Sequence, residues 1–165
     1  MTINSGKARL SAPVQNIVQV DEIDQAILYE LSRNARIANN ALAAVVGVAP
    51  STCLARVKAL ETAGVITGYR AEIDLKKIGF PVDALISVRI NSHARAEMRA
   101  FARRMVSLPN VQGVFFLAGD KDFLVHVVCA STDQLRDFVA VELNTDPAVS
   151  HTQTNLVFEH LSASG

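Results

Sequence analysis

The chain has 165 residues, half of them apolar, with 16 basic and 16 acidic side chains and a formal net charge of zero. That length provides one domain or two small ones with a real core, and the absence of any apolar run of 18 residues excludes a membrane-spanning helix. A neutral balance also argues against binding polyanions by bulk charge, so any such role must rest on where the bases lie.

The first twenty residues lack the contiguous apolar stretch of a secretory signal. Cys53 and Cys129 sit far apart in unrelated apolar patterns. They read as buried thiols in a reducing compartment, not as a disulfide or a metal pair, and a cytoplasmic protein is the expectation.

In chain order, residues 1–20 show no period and read as a mobile arm, with Lys7 and Arg9 as its bases. Asp21 is placed to cap a helix, with Glu22 and Asp24 favoured by the dipole of its first turn. Ile23, Ile27, Leu28 and Leu31 give that helix one apolar face, and it ends near Arg33 and Asn34. Arg36 follows in a short connector. A second helix is predicted over 39–46, with Leu42, Val45 and Val46 inward. Gly47, Val48 and Ala49 then form a turn.

Residues 50–64 read as a third helix with hard edges. Pro50 suits the first helical position and Gly64 the left-handed residue that ends a helix. Cys53, Val57 and Leu60 form a buried stripe. Ser51, Thr52, Ala55, Arg56 and Ala59 fall off it, leaving a small-residue outer face with one arginine, which suits a major groove. Helix, glycine turn, helix is the helix-turn-helix pattern. Residues 65–66 and 69–73 around Thr67-Gly68 predict a small β-hairpin, or wing. Residues 75–82, with Gly79 and Pro81, read as a hinge.

Ser51 and Thr52 offer hydroxyls to phosphate at a helix N-terminus. Arg56 has two readings: contact with a base edge or phosphate, which is favoured, or an ion pair with Glu61 or a first-helix acid. Lys58, Arg36 and Arg70 are candidate backbone contacts. Residues 21–74 hold five bases against seven acids, a net of −2. One copy therefore neutralises few phosphates, and useful affinity calls for at least a dimer.

The second half has another rhythm. Ala84, Ile86, Val88 and Ile90 alternate with Leu85, Ser87 and Arg89 as a strand. Asn91, Ser92 and His93 make a loop. Residues 94–108 predict a helix with Met98, Phe101, Met105 and Val106 inward and Arg95, Arg99, Arg103 and Arg104 outward. Strands follow over 111–117 and 123–130, joined by the turn Gly119-Asp120-Lys121-Asp122. Ser131 caps a helix carrying Leu135, Phe138, Val139 and Leu143. A last strand spans 152–161. Strand, helix, strand, strand, helix, strand is the ferredoxin-like split unit. Two helices cover one sheet face. The other, with Leu85, Val114, Phe116, Leu124, Val128 and Val157 or their alternates, predicts sheet-to-sheet dimerisation about a twofold axis. The four histidines, His93, His126, His151 and His160, lack metal-ligand spacing, and no phosphate loop or nucleophile motif occurs.

These residues together resemble the leucine-responsive and asparagine-responsive (Lrp/AsnC, or feast/famine) regulator family. The resemblance runs from about Val20 to Leu161. It is carried by Asp21-Glu22-Ile23-Asp24 with Ile27-Leu28 and Leu31, Ala35-Arg36-Ile37, Leu42-Ala43 with Val46-Gly47, the stretch 50–61, the stretch 64–69, Gly119-Asp120-Lys121-Asp122-Phe123-Leu124 and Thr152-Gln153-Thr154. It implies an α+β chain: a winged helix-turn-helix over 21–74, a hinge over 75–82, a ferredoxin-like βαββαβ domain over 83–161 that senses an amino acid and dimerises, and a tail over 162–165. It also implies double-stranded DNA at palindromic promoter sites as partner, a dimer assembling to an octamer, no cofactor, no membrane and a nucleoid-associated cytoplasmic setting. Effector contacts fall on Gly119, Asp120, Lys121 and Asp122, with Ser150, His151 and Thr152 beside them. Backbone N–H groups there would take a zwitterion's carboxylate, and Asp120 or Asp122 its ammonium. The chain departs from the pattern at Ala49 and Ala38, where the family usually has a capping serine. The loss is typically ~1 kcal/mol per cap, unless Ser51, Asn39 or Asn40 takes over. An alternative from relatives that became tetrapyrrole decarboxylases would use His93, His126, Arg95, Arg99, Arg103 and Arg104.

Overall fold

The computed structural model describes residues 17–161. The expected arm as far as residue 16, with Lys7 and Arg9, and the tail over 162–165 lie outside the described residues. The chain divides into two compact units, one ending at Ala71 and one beginning at Glu72.

The first unit contains α1 (Glu22–Arg33), α2 (Asn39–Val46) and α3 (Pro50–Thr62). Asp21 caps α1 in a reciprocal box with Asp24, as a carboxylate at that position allows. Ile27, Leu42, Ala43, Cys53 and Leu60 form the buried core, with Val20, Ile23, Val46 and Val57 packed around it. Val45 points out, 60% exposed, and the small Ala43 takes its expected place, 1% exposed. The inward face of α2 is therefore Leu42, Ala43 and Val46, and a methyl at position 43 allows close approach. Gly47, at φ 73°, makes the left-handed turn that leads to α3. The axes of α2 and α3 bend by 99°, within the helix-turn-helix range. Neither Ala38 nor Ala49 provides a side-chain cap, and among the described residues no bond from Ser51, Asn39 or Asn40 takes that place. The Asn39 amide instead donates to the Pro50 carbonyl at 2.9 Å, tying the start of α2 to that of α3.

The wing differs from the expected hairpin. Gly64, at φ 71°, reverses the chain, and the N–H groups of Val65 and Ile66 both donate to the Leu60 carbonyl. Those donors close the end of α3 and are lost to any strand ladder. Residues 67–74 form neither helix nor strand, and the Tyr69 hydroxyl donates to Glu61 at 2.8 Å.

The segment 75–82, expected as a hinge, is built into the second unit. Asp74 caps a 3-10 turn at Leu75–Ile78 by accepting from the N–H groups of Lys76 and Lys77. The rest of that unit is β1 (Val82–Ile90), α4 (Met98–Val106), β2 (Val111–Phe116), β3 (Phe123–Cys129), α5 (Thr132–Phe138) and β4 (Val149–Leu156). The sheet order is β2-β3-β1-β4 with every neighbouring pair antiparallel, as a split βαβ repeat requires. Ala84, Ile86, Val88 and Ile90 are buried under the helices, as their alternation predicts.

Several boundaries shift. The loop at 91–93 and the first turn of the expected helix form a 3-10 stretch, Ser92–Glu97, and the α-helix begins only at Met98. Val106 is exposed and Ala94 is buried in its place. Arg104 turns inward to Glu142 and Asp146. A π turn, Val139–Leu143, extends α5 and brings Leu143 into the core. The last strand starts at Val149 and stops at Leu156, earlier than expected at both ends. In β2 the register slips between Val111 and Gly113. This bulge puts Val114 and Phe116 opposite the core residues Val125 and Phe123, and Phe115 opposite Leu124. The helix-free face thus carries Phe115 with Leu85, Leu124, Val128 and Val157, not Val114 and Phe116. It also carries polar side chains: Asp83 Oδ1 accepts from His126 Nε2 at 2.7 Å there.

Candidate functional site

Helix α3 is positioned by its buried stripe. Cys53 and Leu60 are sealed in the first core, and the Cys53 thiol is pushed up from its ordinary pKa by that burial. The opposite side of α3 therefore faces out. Ser51, Thr52, Ala55, Lys58 and Ala59 are all exposed there, and so are Leu54 and Thr62, which the stripe analysis omitted. Lys58, Arg36 and Arg70 make no ion pair among the described residues. Arg70 lines a pocket of about 300 Å³ beside the segment after α3, with Leu28, Leu31 and Tyr69.

Arg56 makes the ion pairs that its second reading named. Its Nη1 lies 2.6 Å from Asp21 Oδ2 and 2.9 Å from Asp24 Oδ1. These are the first-helix acids of the second reading. The Asp24 N–H and then the Arg56 guanidinium hold the Asp21 carboxyl below its usual range. The sequence signal is the spacing: Arg56 lies three residues after Cys53 and four before Leu60, on the flank of the buried stripe.

In the second unit, Gly119, Asp120, Asp122 and Ser150 gather around one pocket of about 390 Å³. Its other walls are Arg89, Ile90, Asn91, Ser92 and Arg95, of which only Arg95 had been given a ligand role, and that in the enzymatic alternative. The pocket lies where the β1 end meets the turn before β3. Asp122 Oδ2 accepts from the Ile90 N–H at 2.8 Å, and the Asp122 N–H donates to the Val88 carbonyl. Ser150 Oγ donates to the Arg89 carbonyl at 3.0 Å. Arg89 forms a close ion pair with Asp120, and its Nε donates to the Asp120 carbonyl at 3.0 Å. Lys121 and then Arg89 hold the Asp120 carboxyl below its usual range, so it stays ionised near neutrality. The pocket therefore presents two guanidinium groups, two carboxylates, hydroxyls and an amide, groups that suit both ends of a zwitterion. Lys121, His151 and Thr152 do not join its walls. His151 pairs with Arg89 across the sheet, and Thr152 turns to Asn144 at 3.3 Å.

The residues of the enzymatic alternative do not converge. Arg95 lines this pocket, His126 lines a different one with Asp83, and Arg104 is bound to Glu142 and Asp146. A further pocket of about 430 Å³ lies between α5 and β4 and is lined by the apolar Leu135, Val139, Ala140 and Leu156 and the polar Thr132, Arg136, Asn144 and Thr154.

Comparison with known proteins covers both units. A family model described as winged helix-turn-helix DNA-binding matches residues 20–67, and one described as the Lrp/AsnC ligand binding domain matches residues 83–165. The HTH-type transcriptional regulator AldR of Mycolicibacterium smegmatis is 47% identical over 142 residues, covering 86% of this chain and 83% of the relative. The leucine-responsive regulatory protein of Rhizobium meliloti is 37% identical, covering 87% and 92%. The crystal structure of MtbAldR superposes with a TM-score of 0.73 at 43% identity, over 88% of this chain and 99% of that one. A Neisseria meningitidis transcriptional regulator in complex with L-Met superposes with a TM-score of 0.80 at 29% identity, over 88% and 94%.

Proposed function

The chain belongs to the Lrp/AsnC family of transcriptional regulators, and from that premise we propose how its two units divide the task. It is a DNA-binding regulator with a ligand-binding unit and is not an enzyme. The decarboxylase alternative finds no support among relatives that are regulators by name.

In this reading α3 enters a major groove. Ser51, Ala55 and Lys58 face the base edges and the nearer phosphates, and Thr52 binds phosphate at the helix N-terminus. Arg36 and Arg70 touch the backbone to either side. What carries the reading is the outward placement of this small-residue face on a helix whose opposite stripe, Cys53 and Leu60, is buried.

The effector is an amino acid held in the pocket at Gly119, Asp120, Asp122 and Ser150. Its ammonium pairs with the ionised Asp120 and its carboxylate with Arg95 and the Ser92 hydroxyl. The L-Met complex of the Neisseria relative supports that ligand class. Dimers form through the helix-free sheet face and assemble further, up to an octamer. An effector that binds one association state better than another shifts the balance between them. The shift changes how many α3 helices engage DNA together, and so the avidity. Twofold pairing favours palindromic promoter sites with half-sites about one turn apart, in a cytoplasmic, nucleoid-associated setting.

Two measurements test this. A gel shift on the gene's own upstream region is expected to show specific binding that falls as salt rises. A thermal-shift screen of the twenty amino acids is expected to find one that stabilises the protein, by ~2.7 kcal/mol at 100 times its dissociation constant. No specific shift at low salt, or no stabilisation by any amino acid, overturns the corresponding half of the proposal.

A further inference from the structure

Resting on that DNA-binding reading, we propose that Arg56 is a positioning residue, which clamps α3 to the first turn of α1 and sets the angle at which the reading face meets DNA. The geometry is that of a shared, prebuilt acceptor. Asp21 Oδ1 accepts from the Asp24 N–H at 2.8 Å and its Oδ2 from Arg56; Asp24 Oδ2 accepts from the Asp21 N–H at 3.3 Å and its Oδ1 from Arg56. Each carboxylate thus divides its two oxygens between the helix cap and the guanidinium. The cap holds both acids in place before the arginine arrives, so less side-chain freedom is lost in closing the clamp.

Position and charge agree with this role. Arg56 shares the flank of Cys53 and Leu60, away from Ser51, Ala55 and Lys58. The Asp24 side chain is only 16% exposed, so its charge requires a partner. One guanidinium between two carboxylates leaves a net negative cluster, which offers a phosphate no attraction. A base or phosphate would have to displace two charge-assisted hydrogen bonds to recruit Arg56. Lys58 is then the single basic side chain that α3 presents to DNA.

The two roles of Arg56 predict opposite signs for loss of Asp24. The affinity of the full chain for its upstream DNA is measured across salt for wild type, Arg56→Gln, Asp24→Asn and the double variant, with Glu22→Gln as the control for removing an acid that Arg56 does not touch. A clamp predicts that Arg56→Gln and Asp24→Asn each weaken specific binding about tenfold, the scale of one lost base contact. It also predicts that the double variant is no weaker than Arg56→Gln, and that the salt slope stays at the wild-type value. The inference is overturned if Asp24→Asn tightens binding beyond the Glu22→Gln control, if Arg56→Gln lowers the slope by about 0.9, the signature of one lost phosphate contact, or if it binds like wild type. Should Arg56→Gln fail to fold, Arg56→Lys is paired with Asp24→Asn and the sign of the Asp24 effect decides. Wild type that shows no specific shift sinks the DNA-binding reading itself, which keeps the two failures apart.

Discussion

Five buried side chains, Ile27, Leu42, Ala43, Cys53 and Leu60, centre the first unit, whereas fifteen form the core of the second. The first unit has a small buried centre with partly buried apolar side chains such as Ile23, Leu28 and Val57 packed against it, and polar ties fasten its edges: the Asp21–Asp24 box, the Arg56 ion pairs, Asn39 on the Pro50 carbonyl and Tyr69 on Glu61. The second unit relies on a continuous apolar layer, Ala84 to Ile90 and Phe123 to Cys129, beneath Phe101, Met105, Leu135 and Phe138. A unit that must offer a small polar face to DNA has little apolar surface left to hide, so it is fastened at its edges. The ligand-binding unit is instead held by its continuous apolar layer.

Truncation in the larger core tests that contrast most strongly. Phe123 is fully buried and stacks 5.0 Å from both Phe101 and Phe116. Phe123→Ala is expected to destabilise the second unit by ~3–5 kcal/mol, measured by denaturant unfolding, and to abolish the amino-acid thermal shift. Leu60→Ala is expected to cost ~2–5 kcal/mol in the smaller unit. Because only four other residues share that core, DNA binding is lost while the amino-acid thermal shift survives. If Leu60→Ala also abolishes the thermal shift, the two cores do not act independently. A smaller gain comes from Ala49→Ser. Ala49 has the extended backbone of an N-cap, φ −65° and ψ 146°, but no side-chain oxygen. A serine there can accept from the Thr52 N–H, and thermal unfolding is expected to show the first unit stabilised by ~1 kcal/mol.

The same contrast explains what could be read in the sequence. The β1 alternation was legible because a strand buried on one face leaves a strict period of two. The three helices of the first unit were legible from Asp21, Gly47, Pro50 and Gly64, whose backbone roles are local. What escaped depends on tertiary geometry. The bulge after Val111 changes which β2 side chains face the core, and its one sequence signal, the isolated Gly113 within the strand, had gone unused. The wing lost its ladder because Val65 and Ile66 close α3 instead. Arg89 and Arg95 reached the pocket because β1 and the 3-10 turn end beside Asp120, a neighbourhood that sequence distance hides. For Arg56 the sequence offered the pair with a first-helix acid only as the less favoured of two readings, because those partners lie more than thirty residues away.

The smallest expected effect concerns how the edge ties respond to acid. Asp21 is the tie with a clear titration signature: its folded pKa is lowered, chiefly by the Asp24 N–H and then by Arg56. For a depressed carboxylate, charge-linked stability is fully present above the unfolded pKa, about 3.9, and is lost as pH falls through the lower folded value. Asp21→Asn keeps an oxygen for the Asp24 N–H but removes the charge that Arg56 needs. The melting temperature of the first unit is therefore expected to differ between wild type and Asp21→Asn by a constant amount above about pH 5, and the gap is expected to shrink below about pH 4. Salt narrows the gap at neutral pH as well, since the Asp21 side chain is half exposed and its pair is screened. A gap that persists unchanged into strong acid would mean that Asp21 acts through hydrogen-bond geometry alone. The first unit would then be fastened by capping and not by charge, and the contrast with the apolar second unit would rest on Asn39, Tyr69 and the cap instead of on the Arg56 clamp.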